Sequence, residues 1–293
     1  MSTSHFEASL RGGAGSFHIR KRVHVDYDAP RALRRFVFLI HGYNVSEDAA
    51  LDEFSRFHTS LEERGARLHG QVFYFIWPGD YKRVLSLASY PFRVHTAERC
   101  GPKLAEYLES LEAPRRSETP QIIIIAHSLG CRLALEAVSA VSAKVRRNIT
   151  LILMAAAYPV PAIVPPLSTS AASTRSSAVF YSESDEVLGP WFPKGELLAA
   201  RRIAPLLWNV LSGRGPEAIG LFGRPTRRAW SERHEMRGFL HGDYWRSDAV
   251  HAEVCRLLGY ATESALRERE LREDGLNARV FRTRILRMRS QRR

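Results

Sequence analysis

Short apolar runs alternate along this chain with longer segments whose apolar residues recur at helical spacing. That pattern predicts a mostly parallel sheet covered by helices on both faces. Phe36, Val37, Phe38, Leu39 and Ile40 form one apolar run, and 72–77 form a second, closed by Pro78, Gly79 and Asp80. The run Gln121, Ile122, Ile123, Ile124 and Ile125 is continuous and β-branched, as expected of a central strand buried on both faces. Residues 149–154 and 178–181 supply two more strands. Between them, 157–177 is rich in Pro, Ser and Ala and reads as an irregular loop.

Helices are expected over 47–64, 94–111, 128–141 and 246–258. Ser46 has the chemistry of an N-cap for the first, with Glu47 and Asp48 in the favourable first turn, and Gly65 is positioned to stop it. A longer insert covers 188–238, with a helix expected near 196–211. Its length marks it as a candidate cap over a site. The expected organisation is therefore an N-terminal extension with the first strands over 1–34, an α/β domain over 35–260, and a tail over 261–293.

Composition changes this picture only at the edges. The 293 residues are 45% hydrophobic and 25% charged, and no apolar run approaches the roughly 18 residues of a membrane span. The N-terminal residues lack the basic-then-apolar order of a secretory signal, so a cytoplasmic location is expected. Cys100, Cys131 and Cys255 are scattered, which predicts reduced thiols, not a disulfide framework or a metal site. Much of the net charge of +12 comes from the last residues, where Arg279, Arg282, Arg284, Arg287, Arg289, Arg292 and Arg293 meet no acid. A solvated tail is the plainest reading. Leu276, Val280, Ile285 and Met288 at loosely helical spacing also fit a helix on an anionic membrane surface. Nucleic-acid binding ranks last, for want of a recognition motif. The sequence leaves the oligomeric state open.

The chemistry gathers at Ala126, His127, Ser128, Leu129 and Gly130, which fall between an apolar strand and a helix. A serine on a sharp strand-to-helix turn is exposed for nucleophilic attack, and small residues two before and two after let strand and helix approach. The backbone N–H of Leu129, at the helix N-terminus, would face a developing oxyanion. Cys131 reads as a small buried helix residue.

Together with His41, Gly42, Tyr43 and Asn44 after the first of these strands, and Trp77 with Pro78 after the next, this turn resembles the α/β-hydrolase superfamily. More narrowly it resembles a bacterial branch of HGYN-type serine hydrolases of unassigned substrate. The resemblance spans 35–258 and implies an eight-stranded, mostly parallel sheet and chemistry like that of an esterase or lipase; the alternatives are a non-catalytic binding protein that keeps this fold, or a membrane-recruited effector. It implies a small-molecule or lipid acyl ester as substrate, with no cofactor and no metal. The superfamily commonly has glycine where this chain has Ala126.

The order implied by the resemblance is nucleophile, acid, histidine. Asp185, a few residues past the strand at 178–181, is the preferred acid, with Glu183 and Glu186 as local rivals. His241, Gly242, Asp243 and Tyr244 match the family's His-x-x-Tyr arrangement and make His241 the base, ahead of His234 and His251. His127 is expected to pack against the sheet. Gly42 would let the chain turn back so that the Tyr43 N–H supplies a second oxyanion donor. His41 and Asn44 are expected to hold that loop in shape. Tyr74 and Trp77 could line an acyl pocket or pack in the core.

Overall fold

The computed structural model describes residues 5–10, 18–23, 35–66, 68, 71–80, 86–111, 120–162, 167–199, 215–224 and 230–260. The basic tail and much of the insert lie outside these residues. Eight strands form one sheet: β1 (His5–Ser9), β2 (His18–Val23), β3 (Arg35–Ile40), β4 (Gln71–Ile76), β5 (Gln121–His127), β6 (Ile149–Met154), β7 (Ser176–Tyr181) and β8 (Glu232–Glu235). Their order is β2-β1-β4-β3-β5-β6-β7-β8. Seven strands run parallel, and β2 pairs antiparallel with β1 at one edge.

Strand alternation sorts the apolar residues into two layers. Phe38, Ile40, Phe73, Ile122, Ile124 and Leu151 face one side, where they meet α2 (Ser86–Ser110) and α3 (Gly130–Ala140). Val37, Leu39, Ile123, Ile125 and Ile152 face the other, against α1 (Glu47–Glu63) and the last helix. β5 lies at the centre, and Ile122 to Ile125 are fully buried.

The helix signals are local. The Ser46 side chain accepts the Ala49 N–H, and α1 buries Ala50, Phe54, Phe57, His58 and Leu61 as one stripe. The chain leaves α1 through Gly65 at φ +80°, where a left-handed residue is required. α2 begins earlier than its apolar pattern suggests and contains Pro91 and Pro102. Tertiary packing outweighs that local penalty: a side chain at Gly101 would meet Glu136 Cβ at 2.4 Å, so α2 and α3 cross closely there.

Three segments differ from expectation. The stretch expected as a loop contains α5 (Leu167–Ala172), after a short α4 (Ala143–Arg146) and a 3-10 turn over Val160–Ala162. β7 starts at Ser176, because polar pairing extends it: Ser176 Oγ lies 3.2 Å from Thr150 Oγ1, and Ser177 exchanges two bonds with Ser231, each 3.1 Å. Residues 188–238 contribute α6 (Phe192–Ala199), α7 (Ile219–Phe222) and β8 itself; the remainder of the expected 196–211 helix lies outside the described residues. The last helix, α8, covers Asp248–Leu257, capped by Ser247. No helix among the described residues is long and apolar enough to cross a membrane.

Strand and helix meet closely at Gly130, where a Cβ would fall 2.3 Å from the His41 carbonyl oxygen. Backbone cannot yield as a side-chain tip can. Gly130→Ala should therefore lower the unfolding free energy in urea by about 1–3 kcal/mol or more. Gly242→Ala, whose Cβ meets nothing within 4 Å, should change it little.

Candidate active site

Ser128 follows β5 directly and has φ +53°, a left-handed backbone that costs a non-glycine residue about 1–2 kcal/mol. Its neighbours hold it there. The Ser128 N–H donates to Met154 O (3.0 Å), and its carbonyl accepts from Cys131 N (3.0 Å) and Ala157 N (3.1 Å). Leu129 is buried as the N-cap of α3, so its amide belongs to the helix end whose first N–H groups have no intrahelical acceptor. Ala126 keeps its ladder position between Ile40 and Leu153, so its methyl group leaves the turn intact.

Asp185 sits in the turn after β7 and is 2% exposed. Its Oδ1 accepts from Val187 N (2.9 Å) and Leu188 N (2.8 Å), which fixes the carboxylate. Its Oδ2 lies 2.8 Å from His241 Nδ1, and His241 Nε2 lies 2.8 Å from Ser128 Oγ. The structure thus joins these three side chains in one hydrogen-bonded line. Such a line can draw the proton from the serine hydroxyl while the carboxylate steadies the resulting imidazolium. Glu183 is exposed, and Glu186 reaches the backbone N–H of His241 (3.2 Å), not its ring. His234 stands on β8, stacked on Phe180 with ring centroids 4.7 Å apart. His251 bonds Ser60 Oγ (2.7 Å) and the Trp245 carbonyl (2.9 Å).

The loop bearing His241 is held from several sides. Ser182 Oγ donates to Phe239 O (2.8 Å), tying it to the Asp185 turn. Trp245 packs edge-on to Phe54 and Phe57. His127 does more than pack against the sheet: its Nε2–H donates to the His241 carbonyl (2.8 Å), and its ring lies against His241, Tyr244 and Trp245.

The loop after β3 passes over Ser128. A side chain at Gly42 would meet Ser128 Cβ at 2.8 Å, so only glycine fits. His41 holds this loop: its Nδ1–H donates to Gly42 O (2.9 Å), and its Nε2 accepts the Trp77 N–H (3.2 Å). The Trp77 indole donates to His41 O (2.8 Å), and Asn44, at φ +57°, donates its N–H to Gly79 O (2.9 Å). Tyr43 follows Gly42, its hydroxyl 2.6 Å from Ser89 Oγ.

Beside Ser128 and His241 lies a cavity of about 290 Å³, walled by Tyr43, Asn44, Tyr90, Ala157, Val187, Leu188, Trp191, Phe192 and Gly195. Tyr74 and Trp77 are not in that wall; they are core residues, 1% and 0% exposed. Sequence reasoning missed Tyr90 and the buried pair behind it, Arg132 and Glu196, joined at 2.7 Å. The available signal was a charged residue set among apolar neighbours in each of two helical stretches, Arg132 between Cys131 and Leu133 and Glu196 before Leu197. Cys131 is buried, its thiol pKa pushed up by burial, and its Sγ points to Ala126 O (3.2 Å). Glu232, His234 and Glu253 could offer three metal-ligand atoms, but the Arg256 guanidinium already bridges the two carboxylates.

A mostly parallel sheet with a serine at the strained turn between its central strand and the next helix defines an α/β hydrolase. The chain belongs to the family described as alpha/beta hydrolase of unknown function (DUF900), which matches residues 24–190, more than half its length. That match includes Ser128 and Asp185 and ends before His241. No curated protein matches the chain. Among solved structures, an uncharacterized protein from Bacillus cereus ATCC 10987 is 13% identical with a TM-score of 0.42, covering 82% of this chain and 63% of that one. The chain thus spans less than two thirds of that protein. TT1662 from Thermus thermophilus is 12% identical with a TM-score of 0.45, covering 88% and 97%. An extracellular alpha/beta-hydrolase from a Paenibacillus species is 14% identical with a TM-score of 0.32, covering 77% and 97%.

Buried histidines, His127 and His58 foremost, make stability depend on pH. Burial, and then neighbouring His241, pushes His127 down to about 3. Burial, and then His5, pushes His58 down to about 4. Both are neutral in the fold and gain a proton on unfolding below the ordinary value of 6.5. Their stabilisation is therefore complete above that pH and lost as the pH falls toward the folded values. The unfolding free energy should fall below pH 6.5 with a slope approaching about 1.4 kcal/mol per unit for each histidine. His127→Gln should remove its share; an unchanged slope would rule out a neutral His127.

Proposed function

We propose that this protein is a serine hydrolase of the HGYN-type branch that cleaves an ester or other acyl bond through an acyl-enzyme on Ser128. The observation that carries the reading is the line from Ser128 Oγ to His241 Nε2 and from His241 Nδ1 to Asp185 Oδ2, 2.8 Å at each step. Ser128 Oγ attacks the acyl carbon while its proton passes to His241 Nε2. The carbonyl oxygen, now negative, is held by the N–H groups of Leu129 and Tyr43. The tetrahedral adduct collapses, and His241 returns the proton to the leaving oxygen. Water then attacks the acyl-enzyme by the same route, freeing the acid and Ser128. Asp185 keeps the His241 ring in the required tautomer without taking its proton.

Residues 188–238 act in this reading as a cover for the site, supported by Leu188, Trp191, Phe192 and Gly195 in the cavity wall. Cys100, Cys131 and Cys255 are buried and unpaired, which supports a reducing, cytoplasmic location.

Fluorophosphonate should label the wild type at Ser128 and leave Ser128→Ala unlabelled. On p-nitrophenyl acetate, Ser128→Ala and His241→Ala should each lower kcat by about 10⁴–10⁶, and the double variant should lose little more. Asp185→Asn should lower kcat by about 10⁴ with the fold retained by circular dichroism. Activity persisting in Ser128→Ala would end the proposal, and greater damage from Glu186→Gln than from Asp185→Asn would move the acid.

A further inference from the structure

One wall of the cavity is rigid, and its rigidity comes from charge. Tyr90, on α2, lines the cavity and donates its phenolic O–H to Glu196 Oε1 on α6 (3.0 Å). The same oxygen accepts from Arg132 Nη2 on α3 (2.7 Å), and Arg132 Nη1 reaches Glu98 on α2 (3.1 Å). Arg132 and Glu196 are each 2% exposed. Neither lines the cavity, so the ion pair lies behind the Tyr90 ring. A pair buried to this degree holds together, because releasing either partner leaves a charge unpaired in the interior.

The ring is fixed on its other sides as well. A Cβ at Gly195 would fall 2.6 Å from Tyr90 Cδ1, so the α6 backbone rests on the ring. Tyr43 meets Tyr90 edge-on with centroids 5.5 Å apart, and Tyr43 is itself tied to Ser89. A wall of flexible side chains could repack around a long chain, whereas the Tyr90 ring is held against doing so. Among the described residues lining the cavity, none is Lys, Arg, Asp or Glu. The Arg132 charge is already committed to Glu196 and Glu98.

We infer that the acyl group is compact and uncharged, and that Tyr90, braced by the Arg132–Glu196 pair, sets its upper length. A cavity of about 290 Å³ sits at the small end of ligand sites. Methylenes directed at this wall meet a fixed ring, and an acyl carboxylate would find no cation among the described lining residues to pair with. The inference rests on the serine-hydrolase reading.

The test compares kcat/KM on p-nitrophenyl acetate, butyrate, octanoate and laurate, with the hemisuccinate ester as the charged analogue of butyrate. Wild type should favour butyrate over octanoate by about 10-fold or more, over laurate by about 100-fold, and over hemisuccinate by about 10-fold. Tyr90→Ala should raise the octanoate-to-butyrate ratio by about 10-fold, while Tyr90→Phe, which keeps the ring but loses the bond to Glu196, should raise it by a smaller factor and leave butyrate ahead of octanoate. Should Tyr90→Ala fail to fold, wild-type labelling rates with methyl-, butyl- and dodecylphosphonate p-nitrophenyl esters, followed by intact mass, measure the same length limit. A flat or rising chain-length profile, or a Tyr90→Ala ratio equal to wild type, overturns the inference while acetate turnover and Ser128 labelling leave the hydrolase reading in place. Absence of both turnover and labelling ends the two together.

Discussion

The left-handed backbone of Ser128 is stable only because three segments close around it with no room for a side chain at two positions. Gly130 lets α3 start against the His41 carbonyl, and Gly42 lets the loop after β3 cross the serine itself. The bonds from Ser128 to Met154, Cys131 and Ala157 then make release of the strain costly, since three backbone hydrogen bonds would break at once. Everything else at the site is arranged about this fixed turn.

Two further loops are joined to each other before either meets Ser128. The Ser182–Phe239 bond links the Asp185 turn to the His241 loop, and Glu186 reaches across to the His241 backbone. His127 belongs to β5, yet it grips the His241 carbonyl, so the central strand positions both ends of the Ser128–His241 contact. Such cross-ties favour side chains that are already in register before a ligand arrives.

What could be read from the sequence follows from where the determining forces are local. Ser46 and Gly65 frame α1 by chemistry confined to the chain itself, and the isoleucines of β5 announce a strand buried on both faces. Ser128 was legible because small residues flank it at a strand–helix junction. β8 was not, because Glu232–Glu235 is a short edge strand whose residues carry no apolar alternation. α2 ran longer than its pattern because packing on α3 overrides its two prolines. His127 and Tyr90 acquire their roles from atoms more than 100 residues away, which no local pattern encodes.

The Arg132–Glu196 pair also bears on how this chain can be recombined. Residues 188–199 follow the Asp185 turn and look from the sequence like the start of an exchangeable insert. Through Glu196 they are electrically part of the α2–α3 layer. A graft from another hydrolase that begins at residue 188 would bring a helix without the matching carboxylate and strand the Arg132 charge in the interior. The natural seam for modular exchange therefore lies beyond Glu196, and the first turns of the insert are inherited with the scaffold.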